Sequence, residues 1–199
     1  MKKFIFKIVL KDTRPLIWRK FEVRENITFF KFHEIIQIVM GWGNFHFFKF
    51  ESPDLIIDGE NEEEFGDIEE KKLLNSKKIK INNYFSSIGK TIEYIYDFGD
   101  YWEHDIILES MIESKEYLTL CHDGEGACPP EDCGGTIGLE DCLLAYKLKN
   151  EGIKSLKKEV LLDNAYIENL QEISEWIGDW KPELFDLVLI NSQLKKKRA

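Results

Sequence analysis

The sequence predicts an α+β fold on three observations. Strand-like alternation fills the first 120 residues, one amphipathic helical pattern interrupts it early, and helical spacing takes over from residue 139. The expected organisation is one domain over residues 1–199: strand-rich over 1–120, a site-bearing loop over 121–138, and helical over 139–195. A chain of 199 residues, 43% hydrophobic and 13% aromatic, is long and apolar enough to bury a core.

Taken in order, Phe4 to Leu10 and Leu16 to Val23 read as two strands joined by the turn Asp12-Thr13-Arg14-Pro15. Thr28 is placed to cap a helix, with Ile27 and Phe32 as a hydrophobic staple. Phe32, Ile35, Ile36 and Val39 form its apolar stripe, and Gly41-Trp42-Gly43 ends it. His33 beside that stripe reads as structural. Phe45 to Glu51 and Leu55 to Ile57 read as further strands, with His46 packed in the aromatic run. An acidic loop follows from Asp58 to Asp67, then a lysine-rich segment from Lys71 to Asn83. After the central region, Leu139, Cys142, Leu143 and Tyr146 mark the core stripe of a helix, which makes Cys142 a small buried hydrophobe. Two more helices are expected over 160–177 and 182–194, the second with Pro182 in its first turn.

The candidate site lies between Tyr94 and Gly135, where three of the four cysteines and two of the four histidines fall. Gly99-Asp100 between two aromatic strands signals a two-residue hairpin. That turn sets Asp97 opposite Trp102 and Ile95 opposite His104, on one face of the ribbon. The strand from Ile106 to Leu120 then returns the chain, so that the hairpin and the cysteine loop form a single site. The loop is rich in glycine and proline, and Cys121, Cys128 and Cys133 stand in it as C-x6-C-x4-C. With His104 they make a Cys3His set for Zn2+, with His122 or Asp123 as substitutes. Unliganded thiols or a disulfide are the competing readings. Asp97, Asp100 and His104 also suit a hard divalent ion serving hydrolysis, and Glu131, Asp132 and Trp102 are candidate binding residues. Against that, Asp100 serves the turn and Glu131-Asp132 cap the next element.

The net charge of −10 and only four arginines, Arg14, Arg19, Arg24 and Arg198, argue against nucleic acid as the main partner. No apolar run is long enough to span a bilayer, and Lys7 interrupts the apolar N-terminal segment where a signal peptide would continue. The expected location is the cytoplasm, where thiols stay reduced.

Tyr94-Ile95-Tyr96-Asp97-Phe98-Gly99-Asp100-Tyr101-Trp102-Glu103-His104 and Ala127-Cys128-Pro129-Pro130-Glu131-Asp132-Cys133-Gly134-Gly135 resemble the two hallmark segments of the plasmid pRiA4b ORF-3-like family. Pro15 to Arg19, Gly41-Trp42 with His46, and Lys181 to Asp186 extend the resemblance along the chain. It implies an α+β domain. Some members are labelled transposon resolvase-like, but the first serine here is Ser52 and the arginines are too few for either recombinase chemistry. The expectation is an interaction module with a zinc-stabilised loop, taking a protein partner or small ligand. The alternatives are a metal-dependent hydrolase using Asp97, Asp100 and His104, and a mobile-element accessory protein acting through protein partners.

Overall fold

In the computed structural model, residues 2–58, 71–116, 118–156 and 163–197 are described. The expected acidic loop lies largely outside them, as do residues 160–162 of the helix expected over 160–177.

The α+β architecture is observed. β1 (Lys2–Leu10) and β2 (Ile17–Arg24) form the expected hairpin, with Leu10 opposite Ile17. α1 (Phe29–Met40) follows. Thr28 accepts a hydrogen bond from the Lys31 N–H, and Gly41 ends the helix in the left-handed region at φ 109°. β3 (Phe48–Glu51) and β4 (Leu55–Asp58) pair antiparallel, and β5 (Lys72–Asn75) adds in parallel to β4. β6 (Thr91–Tyr96), β7 (Trp102–Glu113) and β8 (Leu120–Glu125) complete an eight-stranded sheet in the order β5-β4-β3-β6-β7-β1-β2-β8. The N-terminal strand therefore sits inside the sheet, between β2 and β7.

The core lies mainly between the sheet and α1. Phe6, Phe21, Phe29, Phe32, Phe50 and Phe85 are all 1% exposed or less, their ring centroids mostly 4.7–6.3 Å apart. Each buried phenyl contributes on the order of 1.5–3 kcal/mol. A second cluster joins α2 (Gly135–Glu151), α3 (Ile153–Leu156) and α4 (Asn164–Trp176) through Cys142, Ala145, Leu156 and Leu170. Cys142 is a core side chain, as its helical spacing predicts. α5 (Leu187–Lys196) returns to β8, where Asn191 Oδ1 accepts from the Cys121 N–H and its Nδ2 donates to the Cys121 carbonyl.

Several boundaries differ from expectation. The long strand stops at Glu113, and the start of the expected loop is strand β8, edge-paired with β2. Sheet pairing there overrides the poor strand propensity of Cys-His-Asp-Gly-Glu. α2 starts at Gly135, and the last helix at Leu187 with Asp186 as its cap, so Pro182 lies before it. Phe45 to Phe47 precede β3 as a loop.

The central hairpin is one register step from the expected one. Tyr96 opposes Trp102 and Tyr94 opposes His104. The connection runs from Asp97 to Tyr101, both left-handed (φ 58° and 56°), and closes with the Tyr101 N–H on the Asp97 carbonyl at 2.7 Å. This wider turn replaces the two-residue one. Trp102 and His104 still share a face, but they share it with two tyrosines in place of Asp97 and Ile95.

Candidate functional site

Three loops meet at one end of the sheet: residues 43–47 after α1, the 97–101 turn, and the loop 126–134 before α2. The turn and the last loop are clasped together. The Gly134 N–H donates to Asp100 Oδ2 at 3.0 Å. Gly135, at φ 70°, lies so close that a Cβ there would be 2.7 Å from the Asp100 carbonyl oxygen. Asp100 thus serves the clasp. Glu131 ties the last loop to the first: its Oε1 accepts from the Gly43 N–H and, at 3.1 Å, from the Tyr96 hydroxyl. That hydroxyl in turn accepts from the Phe45 N–H at 3.0 Å. Burial, with Glu131 beside it, raises the Tyr96 pKa, so the phenol stays protonated.

His46 stands where the three loops converge. Its Nε2 lies 3.2 Å from Asp132 Oδ1, 3.6 Å from Asp97 Oδ2 and 3.7 Å from Glu131 Oε2. The atom is buried yet makes no hydrogen bond of acceptable geometry. Asp97 and Asp132 both have left-handed backbones, φ 58° each, and the other oxygen of Asp97 accepts from the Gly99 N–H at 2.9 Å. Two non-glycine residues held in that region at one spot point to a constrained geometry. Among the described residues, His46, Asp97 and Asp132 are the one group of three whose donor atoms lie close enough to hold a metal, all within 4.8 Å of one another.

The cysteines and His104 are placed elsewhere and are not gathered as a ligand set. His104 is fully buried behind Trp42. Its Nδ1 lies 3.0 and 3.1 Å from the Trp102 and Tyr94 carbonyls and so carries the proton, while Nε2 accepts from Trp42 Nε1 at 3.4 Å. Burial lowers its pKa from 6.5 to about 4. Cys121 is in β8 with its Sγ 3.6 Å from the Lys20 and Asp123 carbonyls, and burial pushes its pKa up to about 11. Cys128 packs against Gly41, and burial raises its pKa well above the usual thiol value. Cys133 shares a hydrogen bond with Cys142, which together with burial raises its pKa. All four thiols are free. His122 pairs with Glu22 at 3.2 Å, and Asp123 accepts from the Gly124 N–H. Trp102 is 1% exposed and presents no face to a ligand.

The hairpin turn and the loop touch at Asp100 and Gly134, and the donor groups gathered there are carboxylates and one histidine. His46 is the residue that sequence reasoning left in the core. Its available signal was its place in the Gly41-Trp42 segment that carries the family resemblance.

Beside His46 and Asp97 a cleft of about 410 Å³ opens, walled largely by phenylalanines. No described helix is long and apolar enough to cross a membrane.

A family profile described as "Plasmid pRiA4b ORF-3-like protein" matches residues 2–188. The chain is 30% identical over 176 residues to "Uncharacterized protein y4hQ" of Sinorhizobium fredii (strain NBRC 101917 / NGR234), covering 86% of this chain and 79% of that one. It is also similar to a crystal structure of a protein of unknown function, MM3350 from Methanosarcina mazei Go1. The TM-score is 0.72 at 29% identity, over 94% of this chain and 96% of the other.

Proposed function

Starting from the fact that this chain belongs to the plasmid pRiA4b ORF-3-like family, we propose that it holds one divalent metal ion on His46, Asp97 and Asp132 and uses it for hydrolysis in the adjoining cleft. The observation that carries this reading is the buried, unpartnered Nε2 of His46 aimed at two carboxylates. Two donors each about 2.1 Å from one ion lie about 3.0–3.4 Å apart, and His46 is already 3.2 and 3.6 Å from its two partners. One imidazole with two carboxylates suits Zn2+ or Mn2+, and three protein donors leave coordination positions for water and substrate.

A divalent ion held there would supply a bound water with its pKa lowered towards about 7. Glu131, whose Oε1 is fixed by Gly43 and Tyr96, presents Oε2 on the His46 side as the acceptor of the water proton. Glu131 would accept that proton as the water attacks the substrate's electrophilic centre and would pass it to the departing group. The protonated Tyr96 phenol holds Glu131 in place. Cytoplasmic residence belongs to the same proposal and fits four free cysteines.

The test is metal uptake by chelator-stripped protein, read by calorimetry and elemental analysis. One equivalent of Zn2+ or Mn2+ is expected for the wild type and for Asp100→Asn, and none for Asp97→Asn or Asp132→Asn. No uptake by the wild type would refute the metal site. Metal that survives both aspartate variants but leaves with Cys121→Ser or Cys128→Ser would move the site to the cysteine loop. A second reading, an interaction domain that binds a ligand without reacting it, is favoured by the exposed Phe45 and Phe47 at the cleft rim. Metal uptake without hydrolysis across ester and amide panels would select it.

A further inference from the structure

The cleft has a composition of its own, apart from the metal donors. Phe30, Phe45, Phe47, Phe48 and Phe98 contribute to its wall. Phe45 is 77% exposed and Phe47 54%. A single exposed phenylalanine needs no explanation, but two on one rim, backed by others, form a patch that folding alone does not require. Phe47 lies 6.4 Å from Phe98, and Phe30 lies 6.2 Å from Phe48, centroid to centroid. Together the rings make one wall of the cleft an aromatic box open on the side of Phe45 and Phe47.

Its polar groups are of one sign. Among the described residues that line the cleft, the charged ones are Asp58 and Asp97, and the nearest cation on its wall is Lys77 over the Phe30 ring. His33 at its inner end is stacked flat on Phe48 at 3.5 Å, with Nδ1 on the Tyr94 hydroxyl and Nε2 on Asn44 Oδ1. Burial lowers its pKa to about 4, so it is neutral near pH 7. Phenyl faces carry negative potential and attract cations, as the fold itself shows: the Lys77 ammonium lies 5.0 Å from the Phe30 centroid. A divalent ion does not reverse the sign. Against its two positive charges stand Asp97, Asp132 and Glu131, leaving one net negative charge.

We propose that this cleft binds an organic cation, a ligand bearing a primary or alkylated ammonium group set between the phenylalanine faces and the acidic floor. The inference deepens the hydrolase reading by naming a substrate class: an ester or amide that carries an amino group, in preference to phosphate or carboxylate compounds. It rests on that reading only for the reaction, since the box and its carboxylates stand whether or not metal is bound.

The experiment compares three probes of similar shape, phenethylammonium, phenethyl alcohol and phenylacetate. Binding is followed by ligand-observed NMR and calorimetry, in chelator and again with Zn2+ added. Phenethylammonium is expected to bind at least about tenfold more tightly than the alcohol, and phenylacetate not at all, in both conditions. Phe47→Ala, a surface change, should keep the melting temperature and weaken the cation about tenfold. Asp97→Asn should remove the preference of cation over alcohol. Equal binding of cation and alcohol, or preferred binding of phenylacetate, would overturn the proposal, as would unchanged cation affinity in folded Phe47→Ala. Cation selectivity with no metal uptake would reject the hydrolase reading and keep this one; metal uptake with no cation selectivity would do the reverse.

Discussion

Arg19→Lys should be among the most damaging conservative changes available in this protein. Arg19 is 2% exposed and its guanidinium meets no carboxylate among the described residues; it donates to five backbone carbonyls. Nε reaches Val39 and Nη2 reaches Met40, both carbonyls that the end of α1 leaves orphaned. Nη1 reaches Trp18 and Glu125, and Nη2 also reaches Gly126, all three at 2.8 Å. Phe185 covers the guanidinium at 4.8 Å. A lysine ammonium has three hydrogens, so at least two of these carbonyls lose their donor. At about 1–3 kcal/mol for each buried unsatisfied group, discounted where water can reach Trp18 and Glu125, the loss is about 3 kcal/mol. For an m-value of about 2 kcal/mol/M, the urea midpoint followed by tryptophan fluorescence falls by about 1.5 M. Because Arg19 joins Met40, which leads into the His46 loop, to Gly126, which leads into the Asp132 loop, the variant should also weaken metal uptake. A midpoint within about 0.3 M of wild type, with m unchanged, would show that the carbonyls find other donors and that Arg19 only fills space.

Acid should destabilise the fold between about pH 6.5 and 4. His33 and His104 stay neutral in the folded state down to about 4 while the unfolded chain takes up protons below 6.5. Each therefore costs up to about 3 kcal/mol as pH falls through that window and nothing further below it, a slope that urea midpoints against pH will measure. Gly135→Ala, forcing a Cβ to 2.7 Å from the Asp100 carbonyl at φ 70°, should cost about 1–3 kcal/mol and open the clasp. Faster amide exchange at Gly134 would record that opening, and protection equal to wild type would refute it. Cys142→Ala should cost about 1 kcal/mol by thermal melting and leave metal content alone. With a net charge of −10, DNA binding should be weak and abolished by salt; sub-micromolar, sequence-selective binding in about 150 mM salt would contradict this.

The first hairpin and α1 were legible because alternation, capping and staple agree there: Thr28 and Gly41 bound the helix as their chemistry requires. The central hairpin was half legible. Gly99-Asp100 has the composition of a two-residue turn, but Asp97 and Tyr101 adopt left-handed backbones, common for aspartate and rare for tyrosine, and the loop closes wider. Cys121 was misplaced because its strand exists only through pairing with β2, a contact between residues 100 apart in sequence, Phe21 and Cys121. The structure does bring the hairpin turn and the loop together, at Asp100 and Gly134, but not through His104 and the cysteines. Cysteine spacing drew attention to thiolates, whereas the convergent groups are His46, from a loop some 50 residues earlier than Asp97, and Asp132, the carboxylate next to Cys133. A histidine among phenylalanines reads as core until its partners are seen.

The interior position of β1 bears on how the chain is made. β1 finds its first neighbour, β2, within a few residues, but its other edge must await β7, which begins at Trp102, some 92 residues after Leu10. At about 5–20 residues per second, a ribosome leaves that edge unmatched for roughly 5–20 s. During that interval Phe4, Phe6 and Ile8 lie beside an open row of amide and carbonyl groups, a template for pairing with another nascent chain. The alternating Lys3 and Lys7 put positive charge on the same exposed strand. In the finished sheet Lys3 is buried against Glu22 at 2.6 Å. Before that, the two lysines repel a second copy of the same strand, so residues that look merely structural at the end guard the fold while it is half built.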